Sequence, residues 1–141
     1  MPFKFAEKKE EKLFSCLHEF KFNELLTIQL KHYGIFEPRV VFINVENNIT
    51  LCNFQMQLVQ HVKANLGLVN QAESLRGFHP HITIAYRDLK KTVFYKIWEE
   101  FKNKIFEKSF LCATICLLKE EENEWIVYKE FHFNSARPET I

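Results

Sequence analysis

The 141 residues suit one domain, long enough to bury a core and too short for two independent ones. Fifteen Phe against three Gly and four Pro exclude a disordered or low-complexity chain. A formal charge of +1 with no Lys or Arg run excludes strong non-specific attraction to nucleic acid or membrane, and leaves a small or short substrate open.

In chain order, Leu13, Phe14, Leu17 and Phe20 recur at helical spacing and predict a helix over 6–20. Leu26, Ile28 and Leu30 alternate with Thr27, Gln29 and Lys31, which predicts a strand over 24–33 with one covered face. Gly34 and Pro38 mark a turn into a second strand, 39–45, whose Val-Val-Phe-Ile-Asn-Val reads as central and buried on both faces. Asn47-Asn48 supplies cap chemistry for a helix carrying Leu51, Phe54, Leu58 and Val62 and ending before Gly67. Residues 68–80 show no period and read as the longest loop. A strand from His81 follows, then a helix over 90–105 marked by Val93, Phe94, Ile97, Trp98, Phe101 and Ile105. The apolar run 110–118 predicts one strand, and Trp125, Val127, Phe131 and Phe133 predict another, sharing its covered face.

The four cysteines, Cys16, Cys52, Cys112 and Cys116, form no Cys-x-x-Cys pair and are expected to be free, buried thiols. The first twelve residues lack an apolar core or small-residue cleavage site, and no apolar run reaches the ~20 residues of a membrane helix. A cytoplasmic location is expected.

The order helix, strand, strand over 6–45 recurs over 90–133, which points to an internal repeat. The second unit opens with the histidine strand, in Gly-Phe-His-Pro-His-Ile-Thr-Ile-Ala-Tyr-Arg-Asp-Leu at 77–89. Alternation sends His81 and Thr83 to one side and Ile82 and Ile84 to the other. An imidazole beside a hydroxyl can hold an oxyanion such as phosphate while moving a proton, although His-x-Thr is also common in ordinary strands. His79 and His81 could share a face as metal ligands, but Pro80 lies between them and no third ligand is near. His18, His32, His61 and His132 have no chemical neighbours in sequence and receive no role.

His-Ile-Thr-Ile at 81–84, after Gly-Phe-His-Pro and before Ala-Tyr-Arg-Asp-Leu, resembles the second signature motif of the two-histidine (2H) phosphoesterases. These are the 2′-5′ RNA ligase-like proteins and cyclic nucleotide phosphodiesterases. The resemblance implies an α+β fold of two pseudo-symmetric antiparallel lobes with flanking helices around a central cleft. As one bilobal domain, lobe 1 would span about 1–47, a connecting helix and loop about 48–80, and lobe 2 about 81–134. It also implies metal-independent, cofactor-free acid–base catalysis on 2′,3′-cyclic or 2′-5′ phosphodiesters of nucleotides or short RNA ends, with no DNA or membrane partner. His81 would serve as acid or base and Thr83 would bind phosphate. Arg87, four residues beyond Thr83, could pair with phosphate, and Tyr86 and Phe78 could stack on a base.

Family members carry two His-x-Thr/Ser motifs, one per lobe, whereas this sequence contains one. The repeat places the other on a strand upstream of Met1. The expectation is therefore a shortened member with turnover reduced by ~10²–10⁴, and an open sheet edge beside strands 24–33 and 39–45 through which two copies associate. The alternative is a non-catalytic RNA- or nucleotide-binding protein that keeps a degenerate cleft.

Overall fold

A computed structural model describes residues 9–68, 77–86 and 89–134. In chain order it contains α1 (Glu10–Glu19), β1 (Leu26–Phe36), β2 (Val40–Val45), α2 (Ile49–Leu66), β3 (His81–Ala85), α3 (Lys91–Phe101), β4 (Glu107–Cys112), β5 (Thr114–Glu121) and β6 (Glu124–His132). The architecture is α+β with two antiparallel sheets, one of four strands in the order β3-β2-β1-β4 and one formed by the hairpin β5-β6.

The helix boundaries follow local chemistry. Asn48 caps α2 by accepting a 2.8 Å hydrogen bond from the Leu51 N–H, which satisfies one of the donors a helix start leaves unpaired. At the other end Gly67 adopts φ 67°, a conformation that favours glycine, and its N–H donates to the Lys63 carbonyl at 2.9 Å. Both ends match the sequence expectation.

The core is mostly aromatic. Phe20, Phe22, Leu26, Leu51, Phe54 and Phe133 form one cluster, and Leu13, Leu17 and Phe131 form a second beneath α1. Phe54 sits at the centre, with ring centroids 5.2 Å from Phe22 and 4.6 Å from Phe133. Such pairs add about 0.5–1.5 kcal/mol beyond the area they bury. Two backbone bonds close this region, Phe22 N–H to the Phe133 carbonyl at 2.9 Å and Phe133 N–H to the Ala113 carbonyl at 3.1 Å.

β2 is central as expected, with Val41 and Phe42 on opposite sides of the sheet and both under 3% exposed. Several expectations need correction. The run 110–118 is two strands, because the chain leaves β1 after Cys112 and pairs with β6 from Thr114, so Ala113 is where it changes sheets. Trp125 and Val127 do not share the buried face of Phe131 and Phe133. Tyr128 is an extra residue between the pairs Leu118↔Val127 and Leu117↔Lys129, and one inserted residue flips every side chain beyond it. Trp125 and Val127 thus lie 45% and 59% exposed on the outer face of the hairpin. Neither β1 nor β2 has an open edge among the described residues, since β4 flanks the first and β3 the second. All four cysteines are free, but only Cys16 is buried.

Of the repeated units, α1-β1-β2 and the segment from α3 to β6 each place a helix ahead of an antiparallel strand pair. The four-stranded sheet nevertheless draws strands from both sides of residue 80. Among the described residues no helix is long and apolar enough to cross a membrane.

Candidate active site on the histidine strand

β3 is held against β2 in the register Asn44↔His81, Ile43↔Ile82, Phe42↔Thr83 and Val41↔Ala85, with Ile84 as an extra residue. Directly opposed residues point to the same face of a sheet. His81 and Thr83 therefore share a face with Asn44 and Phe42, while Ile82 shares the other with Ile43. The second face carries the helices: Val45 packs into the cluster that contains Leu51 and Phe54 of α2, and Tyr33 meets Phe101 of α3 at 5.0 Å. Both α2 and α3 cover that side, and the histidine side bears neither. The isoleucine side is less covered than the alternation suggests, with Ile82 39% and Ile84 46% exposed, because among the described residues β3 is the sheet's edge strand.

A second bulge shapes the histidine face. Between Leu30↔Val45 and Tyr33↔Ile43 the two residues Lys31 and His32 oppose the single residue Asn44, and His32 takes φ 57°. The insertion reverses the alternation of β1, so Gly34 rather than a side chain lies next to Phe42. A methyl group on Gly34 would collide with the Phe42 ring and come within 3.1 Å of Asn44 Oδ1. The absence of a side chain lets Phe42 lie flat against the sheet and form the floor of the site.

On that floor sit three further rings. Phe36 lies 4.5 Å from Phe42, centroid to centroid, and 5.1 Å from His81. His81 is 5.0 Å from Phe42, and His79 is 5.6 Å from Phe42 and 6.0 Å from His81. The side chains of His79, His81 and Thr83 are exposed. His81 Nδ1 lies 2.8 Å from the His79 carbonyl oxygen. A carbonyl can only accept, so Nδ1–H donates to it and neutral His81 keeps its free lone pair on Nε2. The backbone that provides this carbonyl is itself pinned, since the Pro80 carbonyl accepts from the Val45 N–H at 3.3 Å.

Of the other expected site residues, Tyr86 directly follows β3 and is 51% exposed. Phe78 packs against the main core cluster, which anchors the segment leading into β3. Arg87 lies outside the described residues. Among the described residues no group of three His, Cys, Asp or Glu is placed to hold a metal ion. A shallow depression lined by Glu19, Lys21, Gln57, Gln60 and His61 lies elsewhere, between the end of α1 and α2. There His61 Nε2 is 2.7 Å from the Cys16 carbonyl and serves to tie the two helices together.

Sequence reading missed Asn44, Phe36 and Phe42 as parts of the site. Asn44 had a signal, being the one polar residue in Val-Val-Phe-Ile-Asn-Val. Phe36 had none, because its meeting with His81 depends on the register of three strands.

The fold and this face together define a mixed α+β protein with an imidazole and a hydroxyl presented on an antiparallel sheet, on the side away from α2 and α3. The model of the 2′-5′ RNA ligase superfamily matches residues 4–124, and the chain belongs to that superfamily, a group of 2H phosphoesterases. The fold is similar to that of TT0787 of Thermus thermophilus, with a TM-score of 0.63 and 19% identity over 92% of this chain and 73% of that one. No curated protein matches the chain in sequence.

Proposed function

We propose that this chain is a phosphodiesterase of the 2′-5′ RNA ligase type that acts on 2′,3′-cyclic or 2′-5′-linked phosphodiesters of nucleotides or RNA ends. The observation that carries the proposal is the state of His81, whose Nδ1–H is committed to the His79 carbonyl while Nε2 stays free on an exposed face beside Thr83. An imidazole held in one tautomer with its lone pair outward is suited to take a proton from water or a ribose hydroxyl. The Thr83 hydroxyl, two residues along the same face, donates to a non-bridging phosphoryl oxygen, and the Asn44 amide beside His81 adds a second donor. Tyr86, exposed directly after β3, is the base-stacking candidate, and Arg87 is the candidate phosphate partner. Phe78 supports the site from the core.

The test is hydrolysis of 2′,3′-cyclic nucleotides and of a 2′-5′-linked dinucleotide by the wild-type chain and by His81→Ala and Thr83→Ala, in EDTA. Turnover that His81→Ala reduces by about 10²–10⁴ supports the proposal. Nucleotide binding without turnover would replace it with a binding function. The proposed partner set also includes a second copy of the chain, paired along the outer edge of β4, where Phe110 and Leu111 are 47% and 63% exposed. A concentration-independent monomer mass in sedimentation equilibrium rejects that part.

A further inference from the structure

Acid–base cleavage of a phosphodiester needs two groups, one to take the proton of the attacking oxygen and one to give a proton to the leaving oxygen. These oxygens lie roughly in line through phosphorus, and each proton-transferring nitrogen must come within hydrogen-bond reach of its oxygen. The two nitrogens therefore stand on the order of 5–8 Å apart. The rings of His79 and His81 are 6.0 Å apart, centroid to centroid, and inclined at 61°.

Their settings match this division of labour. Both imidazoles are exposed and both rest on Phe36 and Phe42, at centroid distances of 5.0–5.6 Å. Phe42 is 2% exposed, so the surface beneath them is fixed. Pro80 restricts the backbone between them, and its carbonyl bond to Val45 holds the segment to the sheet. Among the described residues the His79 ring makes ring contacts and no hydrogen bond, so neither of its nitrogens is committed elsewhere.

We infer that His79 is a second catalytic imidazole, paired with His81 on the same strand approach to flank one phosphodiester. The inference rests on the proposed phosphodiesterase function. In hydrolysis of a 2′,3′-cyclic phosphate, neutral His81 takes a proton from water at Nε2 as the water oxygen bonds to phosphorus. His79, as imidazolium, gives its proton to the ribose oxygen as that P–O bond breaks. The product is a phosphomonoester with one free ribose hydroxyl, and the two imidazoles then exchange protons with solvent to return to their starting states.

The experiment compares the pH dependence of 2′,3′-cyclic AMP hydrolysis in EDTA for wild type, His79→Gln, His79→Phe and His81→Ala, with product-nucleotide binding measured on each. His79→Phe keeps an aromatic ring on Phe36 and Phe42 and removes the proton carrier, which separates packing from catalysis. The expected result is a bell-shaped profile for wild type, a rate about 10²–10⁴ lower in both His79 variants with one limb lost, and product binding retained. Wild-type rate and both limbs in either His79 variant would overturn the inference and leave the proposed function standing. No turnover by wild type would overturn the proposed function and the pairing together.

Discussion

Replacing Gly34 by Ala tests whether the floor of the histidine face is as tightly built as the structure shows. The added methyl carbon would lie 2.7 Å from Phe42 Cζ, nearer still to the ring's Cε2, and 3.1 Å from Asn44 Oδ1. Carbon atoms prefer about 3.5–4.0 Å, so the ring must retreat by roughly 1 Å. It has nowhere open to go, because Phe36 and His81 stand over it at 4.5 and 5.0 Å. Overpacking of this kind costs about 1–3 kcal/mol, and the reduced freedom of the unfolded chain offsets about 0.4–1 kcal/mol of it. The expected net loss is about 1–2 kcal/mol, read as a lower urea midpoint at unchanged slope. Displacing His81 by a similar distance should also slow turnover, on the order of 10²-fold. Adding Phe42→Leu to the Gly34→Ala chain relieves the collision, so the two changes should couple by more than about 0.5 kcal/mol. A Gly34→Ala protein with wild-type midpoint and rate, or two additive changes, would refute this account of the floor.

Asn48→Ala removes the cap on α2 and should cost about 0.5–2 kcal/mol in urea unfolding, whereas Asn48→Asp, which keeps the accepting oxygen at a helix start, should cost less. Phe133→Ala opens the centre of the core and the junction where Ala113 and Phe22 meet the chain, and a loss of about 3–5 kcal/mol is expected by the same measurement. Burial, and then the Glu19 carboxylate, push the Cys16 thiol above its ordinary value of 9.0. The folded state therefore keeps that proton to higher pH than the unfolded state, so stability should fall as pH rises above about 9. The fall should be smaller in Cys16→Ala, and an identical pH dependence in the two proteins would count against it. Thr83→Ser should retain most turnover and Thr83→Ala should lose it; equal losses would assign Thr83 to packing.

Much of the fold could be read from period and punctuation. Alternation located β1 and β3, a continuous apolar run located β2, three- and four-residue spacing located the helices, and Asn48 and Gly67 marked both ends of α2. The placement of His81 and Thr83 on one face also followed from strand geometry alone. What the sequence could not supply was partnership between strands. Nothing local says that β3 joins β2 while β4 joins β1, or that Ala113 divides one apolar run between two sheets, since each outcome is decided by register and by burial against residues tens of positions away. Phe36 comes to His81 by that route.

The misread strand faces share one physical cause, because a period of two holds only while the ladder is unbroken. The extra residue at Tyr128 turned Trp125 and Val127 outward, and the extra residue at Ile84 ended the simple alternation of β3. The bulge at Lys31 and His32 matters most for chemistry. If the same residues paired without it from Leu30↔Val45 onward, Tyr33 would fall opposite Phe42 and its side chain would occupy the place where Gly34 now admits the ring. Deletion of His32 closes the bulge and leaves Tyr33 opposite Ile43 and Gly34 opposite Phe42, so the histidine face should survive it with turnover close to that of the wild-type chain. A deletion variant that loses turnover as Gly34→Ala does would show that the bulge itself, and not the pairing of Gly34 with Phe42, positions His81.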